Sequence, residues 1–328
     1  MSDTLSLTTP VTGGGSWGTA LAHLLAARGL PATLWLRDAE VALAVNERHE
    51  NPRYLPGFAL DARLAASTDP AALNRDLLVL AVPSQQLRGW LGTHRTFFRP
   101  GPVLVNAAKG LETGSLATCG AVVAEALAGL EPRYSVLSGP SFAAEVLRGL
   151  PTAVVLAARD EALGRTLREL FSGPAFRCYS STDVTGVEMG GALKNVMAIA
   201  AGVCDGLGLG HNSRAALITR GLAEACGARR STFMGLSGLG DLTLTCTGDL
   251  SRNRQVGLRL GRGENLEAIT RSLGMVAEGV KTTAAVHALA LRLGIDAPIT
   301  AAMHCVIYEG QAPREALRIL MNRDLREE

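Results

Sequence analysis

Gly13-Gly14-Gly15-Ser16-Trp17-Gly18, running into Thr19-Ala20-Leu21-Ala22-His23-Leu24-Leu25-Ala26-Ala27, is the stretch on which the fold turns. It fits G-x-G-x-x-G at the opening of an apolar helix. Glycines at this spacing allow a tight turn and let backbone amides approach a pyrophosphate, which then sits at the positive end of the helix. The pattern needs a strand in front of it. Leu7-Thr8-Thr9-Pro10-Val11-Thr12 is a weak one, with a proline and three threonines, and its pairing is an open point.

Outward from this turn, short β-rich segments alternate with helical ones as far as about residue 180. Thr33–Leu36, Leu77–Val82, Val103–Asn106, Tyr134–Leu137, Ala153–Ala157 and Phe176–Tyr179 read as strands. Gly18–Arg28, Val41–Glu50, Ser115–Leu130 and Asp160–Phe171 read as helices between them. Such alternation predicts an α/β fold, a largely parallel sheet with helices on both faces. From Asp183 onward the β signal vanishes and helical periodicity continues to Arg326. The expected organisation is a dinucleotide-binding domain over residues 1–182 and an all-helical domain over 183–328.

Composition narrows the class. Of 328 residues, 47% are hydrophobic and 19% charged, which suits a packed globular protein. The formal net charge of +2, with dispersed arginines and few aromatics, argues against nucleic acid as a partner. The six cysteines and six histidines show no C-x-x-C or H-x-x-x-H spacing, so no metal site is expected. The polar start and the lack of an apolar run of membrane-spanning length predict a cytoplasmic protein with small-molecule partners and no membrane span.

In open parallel sheets, ligands bind beyond the carboxyl ends of the strands. Arg37 stands at the end of the second strand, with Asp38 next to it. An arginine there suits the 2′-phosphate of NADP and favours NADPH; an acidic residue facing the ribose would suit NAD. Pro83-Ser84, Asn106-Ala107-Ala108-Lys109-Gly110 and Ser138-Gly139-Pro140-Ser141 follow later strands. Each is compatible with ordinary turn chemistry, but a lysine directly after an apolar strand, Lys109, is placed to reach over the sheet edge.

In the helical half, Gly186-Val187-Glu188-Met189-Gly190-Gly191-Ala192-Leu193-Lys194-Asn195-Val196 carries paired glycines in a helix. Each glycine costs roughly 1 kcal/mol against alanine. Helical spacing stacks Gly190 and Gly191 under Lys194, a bare stripe against which a ligand can lie. The alternatives are a solvated lysine and close packing of two helices. Ser237–Leu242 and Ser251-Arg252-Asn253-Arg254 form polar loops between apolar helices. An arginine beside an amide and a hydroxyl suits phosphate, and a helix cap explains Ser251 equally well.

Taken in order, these motifs resemble the bacterial NAD(P)-dependent glycerol-3-phosphate dehydrogenases. The matching pieces are Gly13–Gly18, Ala108–Glu112, Ser138–Ala143, Gly190–Asn195, Ile218–Leu222, Gly238–Leu242, Ser251–Arg254 and Val276–Gly279. The resemblance implies a Rossmann-type doubly wound sheet and a helical domain like the C-terminal domain of 6-phosphogluconate dehydrogenase, with the site between them. It implies reversible reduction of dihydroxyacetone phosphate to sn-glycerol 3-phosphate, feeding glycerophospholipid synthesis, and a homodimer. Carried over by residue, Lys194 is the acid/base, with Lys109 and Asp241 orienting substrate and charge around it. Gly139, Ser141, Ser251, Arg252 and Asn253 hold the substrate. The NADP(H) or NAD(H) is lined by Gly13, Gly15, Ser16, Trp17, Gly18, Arg37, Tyr54, Lys109, Ala143, Arg252, Val276 and Glu278. Glu224–Ser231 is shorter than the resemblance leads one to expect, and a displacement of Asp241 from Lys194 would follow if the shortening reached that loop.

Overall fold

The computed structural model describes residues 8–224, 229–273 and 277–324. The chain forms two units, Met1–Lys109 with Cys119–Val184, and Gly110–Thr118 with Thr185–Glu328. The chain thus lends the segment Gly110–Thr118 to the second unit, where Leu111 is fully buried in the apolar core.

Among the described residues, ten strands lie in the first unit: β1 (Thr9–Thr12), β2 (Ala32–Trp35), β3 (Glu50–Asn51), β4 (Leu55–Ala59), β5 (Ala65–Ser67), β6 (Leu77–Leu80), β7 (Val103–Asn106), β8 (Arg133–Ser138), β9 (Thr152–Ala158) and β10 (Phe176–Ser181). Its helices are α1 (Ser16–Ala27), α2 (Ala39–Arg48), α3 (Ser84–His94), α4 (Cys119–Ala126), α5 (Ala143–Leu147) and α6 (Glu161–Phe171). Eight strands form one sheet in the order β10-β9-β8-β7-β6-β1-β2-β5, and β3 pairs with β4 in a separate hairpin. All neighbours in the large sheet run parallel except β8 and β9. Val11, Leu34, Val79, Val105, Leu137 and Val154 share one core with α1, α2, α5 and α6. On the other face, Trp90 of α3 meets Trp35 of β2 edge-on at 5.5 Å.

The proline-bearing segment before the glycine turn is nevertheless a central strand. β1 pairs with β2 over its whole length but with β6 only from Val11 onward. Thr9 and Gly13 donate to Pro31 and Trp35 on the β2 side. Backbone groups alternate along a strand, so the nitrogen of Pro10 faces β6 where no ladder has yet begun, and no hydrogen bond is lost there. Thr12 is fully buried, and its hydroxyl donates to the Val79 carbonyl at 3.1 Å. The chain leaves β1 toward β2 on one side and later crosses to β6 on the other. That reversal places a ligand crevice at the carboxyl ends of β1 and β6.

The second unit is helical: α7 (Val184–Gly206), α8 (Gly210–Ala223), α9 (Arg230–Phe233), α10 (Asp241–Thr247), α11 (Arg252–Gly261), α12 (Leu266–Leu273), α13 (Glu278–Leu293), α14 (Pro298–Tyr308) and α15 (Pro313–Met321). By length and mean hydropathy one helix among the described residues, α7, could cross a membrane, but Glu188, Lys194 and Asp205 interrupt its apolar run and 94% of that window is buried inside the protein, as in a core helix. Its glycines bring α11 into backbone contact. A Cβ at Gly261 would stand 2.6 Å from the Val203 carbonyl and 3.0 Å from Gly206 Cα. One at Gly202 would stand 2.7 Å from the Leu258 nitrogen, and one at Gly257 would run into the Ile199 carbonyl. The crossing is closed by Arg254, whose Nε and Nη2 donate to Asp205 Oδ2 at 2.9 and 2.7 Å.

Candidate active site

In the first unit, the three glycines of the turn serve three different ends. Gly13 has φ +100°, and a Cβ there would stand 2.5 Å from the Ala81 carbonyl. Gly18 packs against the Gly13 carbonyl so closely that a Cβ would enter it. Gly15 has nothing within 4 Å of its missing Cβ, so the surface above it is open to a ligand. No side chain caps the start of α1, which leaves amides directed at that surface. The Trp17 indole Nε1 is buried without a partner among the described residues. These residues fit a dinucleotide pyrophosphate.

A hairpin is tied onto this turn. Ser16 Oγ donates to the Tyr54 carbonyl at 3.0 Å, and Asn51 Nδ2 donates to the Gly14 carbonyl and to Thr19 Oγ1, each at 2.9 Å. Tyr54 is half-buried beside the turn and Arg37 is exposed after β2. At the carboxyl ends of β7 and β8, Lys109 Nζ and Ser141 Oγ both donate to the Gly139 carbonyl, at 3.3 and 2.9 Å. Gly139, at φ +140°, brings that loop onto β9, where a Cβ would meet Val154 Cα at 2.9 Å. Ala143 opens α5 just beyond.

In the second unit, Lys194 Nζ donates to Asp241 Oδ1 at 2.7 Å and to Thr245 Oγ1 at 3.1 Å. Thr245 donates its own proton to the Asp241 carbonyl at 2.6 Å, so its oxygen faces the ammonium as an acceptor. The Lys194 and Asp241 side chains are 11% and 1% exposed. Removing one partner of so buried a pair costs about 3–5 kcal/mol, because the other charge is left bare. Asp241 is therefore not displaced, whatever the length of the Glu224–Ser231 segment; residues 225–228 of it lie outside the described residues.

At Gly190, the bare stripe expected beneath Lys194 is occupied by the protein itself. A Cβ on Gly190 would lie 2.6 Å from the Ser237 carbonyl. Ser237 belongs to a single turn of π-helix, Leu236–Gly240, which leads directly into Asp241 and α10. Gly190 thus admits the segment that delivers Asp241 to Lys194, and the close-packing alternative holds at that position.

Ser251 accepts from the Arg254 nitrogen at 3.2 Å and caps α11. Arg254 is engaged by Asp205 and Asp249, and Arg252, the first residue of α11, is exposed. Asn253 Nδ2 donates to Asn195 Oδ1 at 3.0 Å, and its Oδ1 accepts from the Gly279 nitrogen at 3.1 Å. Glu278 is the first residue of α13. Val276 lies outside the described residues. The reading of the sequence missed Thr245, which is visible only as a hydroxyl one helical turn beyond Asp241, and Asn51, which has no motif around it.

A Rossmann-type unit with an open glycine cradle, and a helical unit presenting a buried ammonium braced by a carboxylate and a hydroxyl, define a dinucleotide-dependent oxidoreductase. The model of the NAD-dependent glycerol-3-phosphate dehydrogenase N-terminus matches residues 9–164, and that of the C-terminus matches residues 183–318. The chain is 70% identical to a glycerol-3-phosphate dehydrogenase [NAD(P)+] of Desulfovibrio desulfuricans, covering 100% of both. It is 51% identical to one from Geobacter sulfurreducens, covering 97% of this chain and 98% of the relative. The solved glycerol-3-phosphate dehydrogenase of Coxiella burnetii superposes with a TM-score of 0.93 at 38% identity, over 98% of this chain and 100% of that one. A ketopantoate reductase from Ralstonia eutropha, at 15% identity and a TM-score of 0.57, shares the fold alone. The chain belongs to the NAD-dependent glycerol-3-phosphate dehydrogenase family.

Proposed function

We propose that this chain reduces dihydroxyacetone phosphate reversibly to sn-glycerol 3-phosphate, with residues 1–182 holding the dinucleotide and residues 183–328 carrying the acid/base. The observation that carries this reading is the Lys194–Asp241–Thr245 cluster on a chain whose relatives bear that enzyme's name. When bound, a reduced nicotinamide supplies hydride to the ketone carbon. Lys194 provides the proton that the C2 oxygen then needs. Two of its three N–H bonds are held by Asp241 and Thr245, which aims the third and keeps positive charge beside the developing alkoxide. A positioned acid of this kind contributes about 10²–10⁴ in rate. In the reverse direction the neutral amine takes the hydroxyl proton.

Lys109, Gly139 and Ser141 on the first unit, and Ser251, Arg252 and Asn253 on the second, hold the substrate, with Arg252 as the phosphate cation. Asn253 has one N–H left for this, since the other polar positions of its amide already bridge Asn195 and Gly279. NADPH is the preferred reductant: Arg37 is exposed directly after β2, whereas the Asp38 carboxylate is taken up by the first amides of α2. The family resemblance supports a homodimer.

The test follows oxidation of NADPH and NADH optically, with dihydroxyacetone phosphate and with unphosphorylated dihydroxyacetone. Turnover confined to the phosphorylated ketone and faster with NADPH is expected. Equal turnover with the unphosphorylated ketone would contradict the assigned substrate, and faster turnover with NADH the assigned cofactor.

A further inference from the structure

We propose that Arg53, on the loop between β3 and β4, makes the end of β2 a site for a phosphomonoester rather than a ribose diol, and so sets the choice of dinucleotide. This deepens the NADPH reading and rests on it. An acidic residue in the position of Asp38, twenty residues beyond Gly18, ordinarily accepts hydrogen bonds from the adenosine ribose and repels a 2′-phosphate. Asp38 is not available for that. Its Oδ1 accepts from the Glu40 and Val41 nitrogens at 3.1 and 3.2 Å, and its Oδ2 accepts from Arg53 Nη1 at 2.7 Å.

The amide of Val41 first, and Arg53 after it, hold the Asp38 carboxyl below its ordinary range, so it is ionised at neutral pH. Left alone, that charge would face an incoming phosphate. Arg53 cancels it. Arg37 is exposed and has no side-chain partner among the described residues, and the three side chains together carry one net positive charge.

The loop that bears Arg53 is built onto the pyrophosphate cradle. Asn51, fully buried, bonds Gly14 and Thr19 through Nδ2 and receives the Tyr54 nitrogen on Oδ1 at 3.2 Å. Ser16 holds the Tyr54 carbonyl from the other side. Arg53 lies between these two anchors, with its guanidinium 5.4 Å from the centre of the Tyr54 ring. Its backbone is thus fixed relative to the cradle while its side chain stays 61% exposed. A planar guanidinium there can hold a carboxylate and present further N–H donors to phosphate oxygens.

The experiment is calorimetric titration of the full chain with 2′,5′-ADP and with 5′-ADP, which reads the phosphate directly and needs no turnover. The wild-type chain is expected to bind 2′,5′-ADP more tightly. Arg53→Ala should weaken 2′,5′-ADP roughly tenfold while 5′-ADP stays within about twofold. Arg53→Lys, which keeps the charge but not the fork, should fall between. Asp38→Asn keeps a helix cap and removes the charge, so in the Arg53→Ala background it should restore the preference. An unchanged preference in Arg53→Ala, equal weakening of both ligands, or no restoration by Asp38→Asn each overturns the assignment to Arg53. A wild-type chain without preference overturns the NADPH reading itself.

Discussion

Gly190→Ala tests whether the glycine beneath Lys194 serves the protein or the ligand. The new methyl would stand 2.6 Å from the Ser237 carbonyl oxygen, against about 3.3 Å for a tolerable carbon–oxygen contact. Something must yield by about 0.7 Å. The obstacle is backbone, and α7 on the other side is buried, so the π-turn Leu236–Gly240 moves. Asp241 follows that turn immediately. If the full displacement reaches it, the Lys194–Asp241 contact lengthens from 2.7 Å to about 3.4 Å, outside the range of a charge-assisted bond. Overpacking of this kind costs about 1–3 kcal/mol of stability, and misplacement near 1 Å at a reacting group costs about 10² in rate. Steady-state kinetics with dihydroxyacetone phosphate, beside a fluorescence titration of NADPH, is the assay. A loss of about 10² in kcat with NADPH affinity unchanged is expected. Wild-type kcat with weakened NADPH or ketone binding would refute the reasoning and restore the bare stripe as a ligand surface.

Other consequences follow from single residues. Gly18→Ala drives a Cβ into the Gly13 carbonyl and should lower the urea midpoint by an amount equivalent to about 1–3 kcal/mol. Gly15→Ala meets no protein atom; its stability should change by no more than about 1 kcal/mol, while NADPH affinity measured by fluorescence falls sharply. Burial pushes the Glu224 carboxyl above its ordinary 4.5 even though Ile299 and Thr300 donate to it. The folded chain therefore holds that proton more tightly than the unfolded one, and stability falls as pH rises from 4.5 through the raised range. Urea melts across that interval should show wild type gaining on Glu224→Gln as the pH is lowered, and a constant difference would count against the assignment.

The strands most legible in the sequence were those buried on both faces. Leu77–Leu80 and Val103–Val105 are unbroken apolar runs because parallel strands in this sheet are covered on each side. β1 was obscured by Pro10, since nothing in the chain reveals that its nitrogen falls where the β6 ladder has not begun. β5 is three residues at the sheet edge, and the β3–β4 hairpin is mostly exposed on β4; neither has enough buried side chains to impose a pattern. At the site, Lys194 and Asp241 announced themselves by standing in polar or glycine-rich breaks within apolar helices. Thr245 did not, because a threonine inside a helix is ordinary. The role of Gly190 stays open between ligand and packing for a different reason: a sequence shows that room is needed but not which atom fills it.

The central claim is that Lys194, braced by Asp241 and Thr245, moves the proton. The most direct measurement is kcat for dihydroxyacetone phosphate reduction by Lys194→Ala, with NADPH affinity measured on the same sample. The predicted result is a fall of about 10²–10⁴ in kcat with NADPH affinity intact. Turnover close to that of the wild-type chain would contradict it.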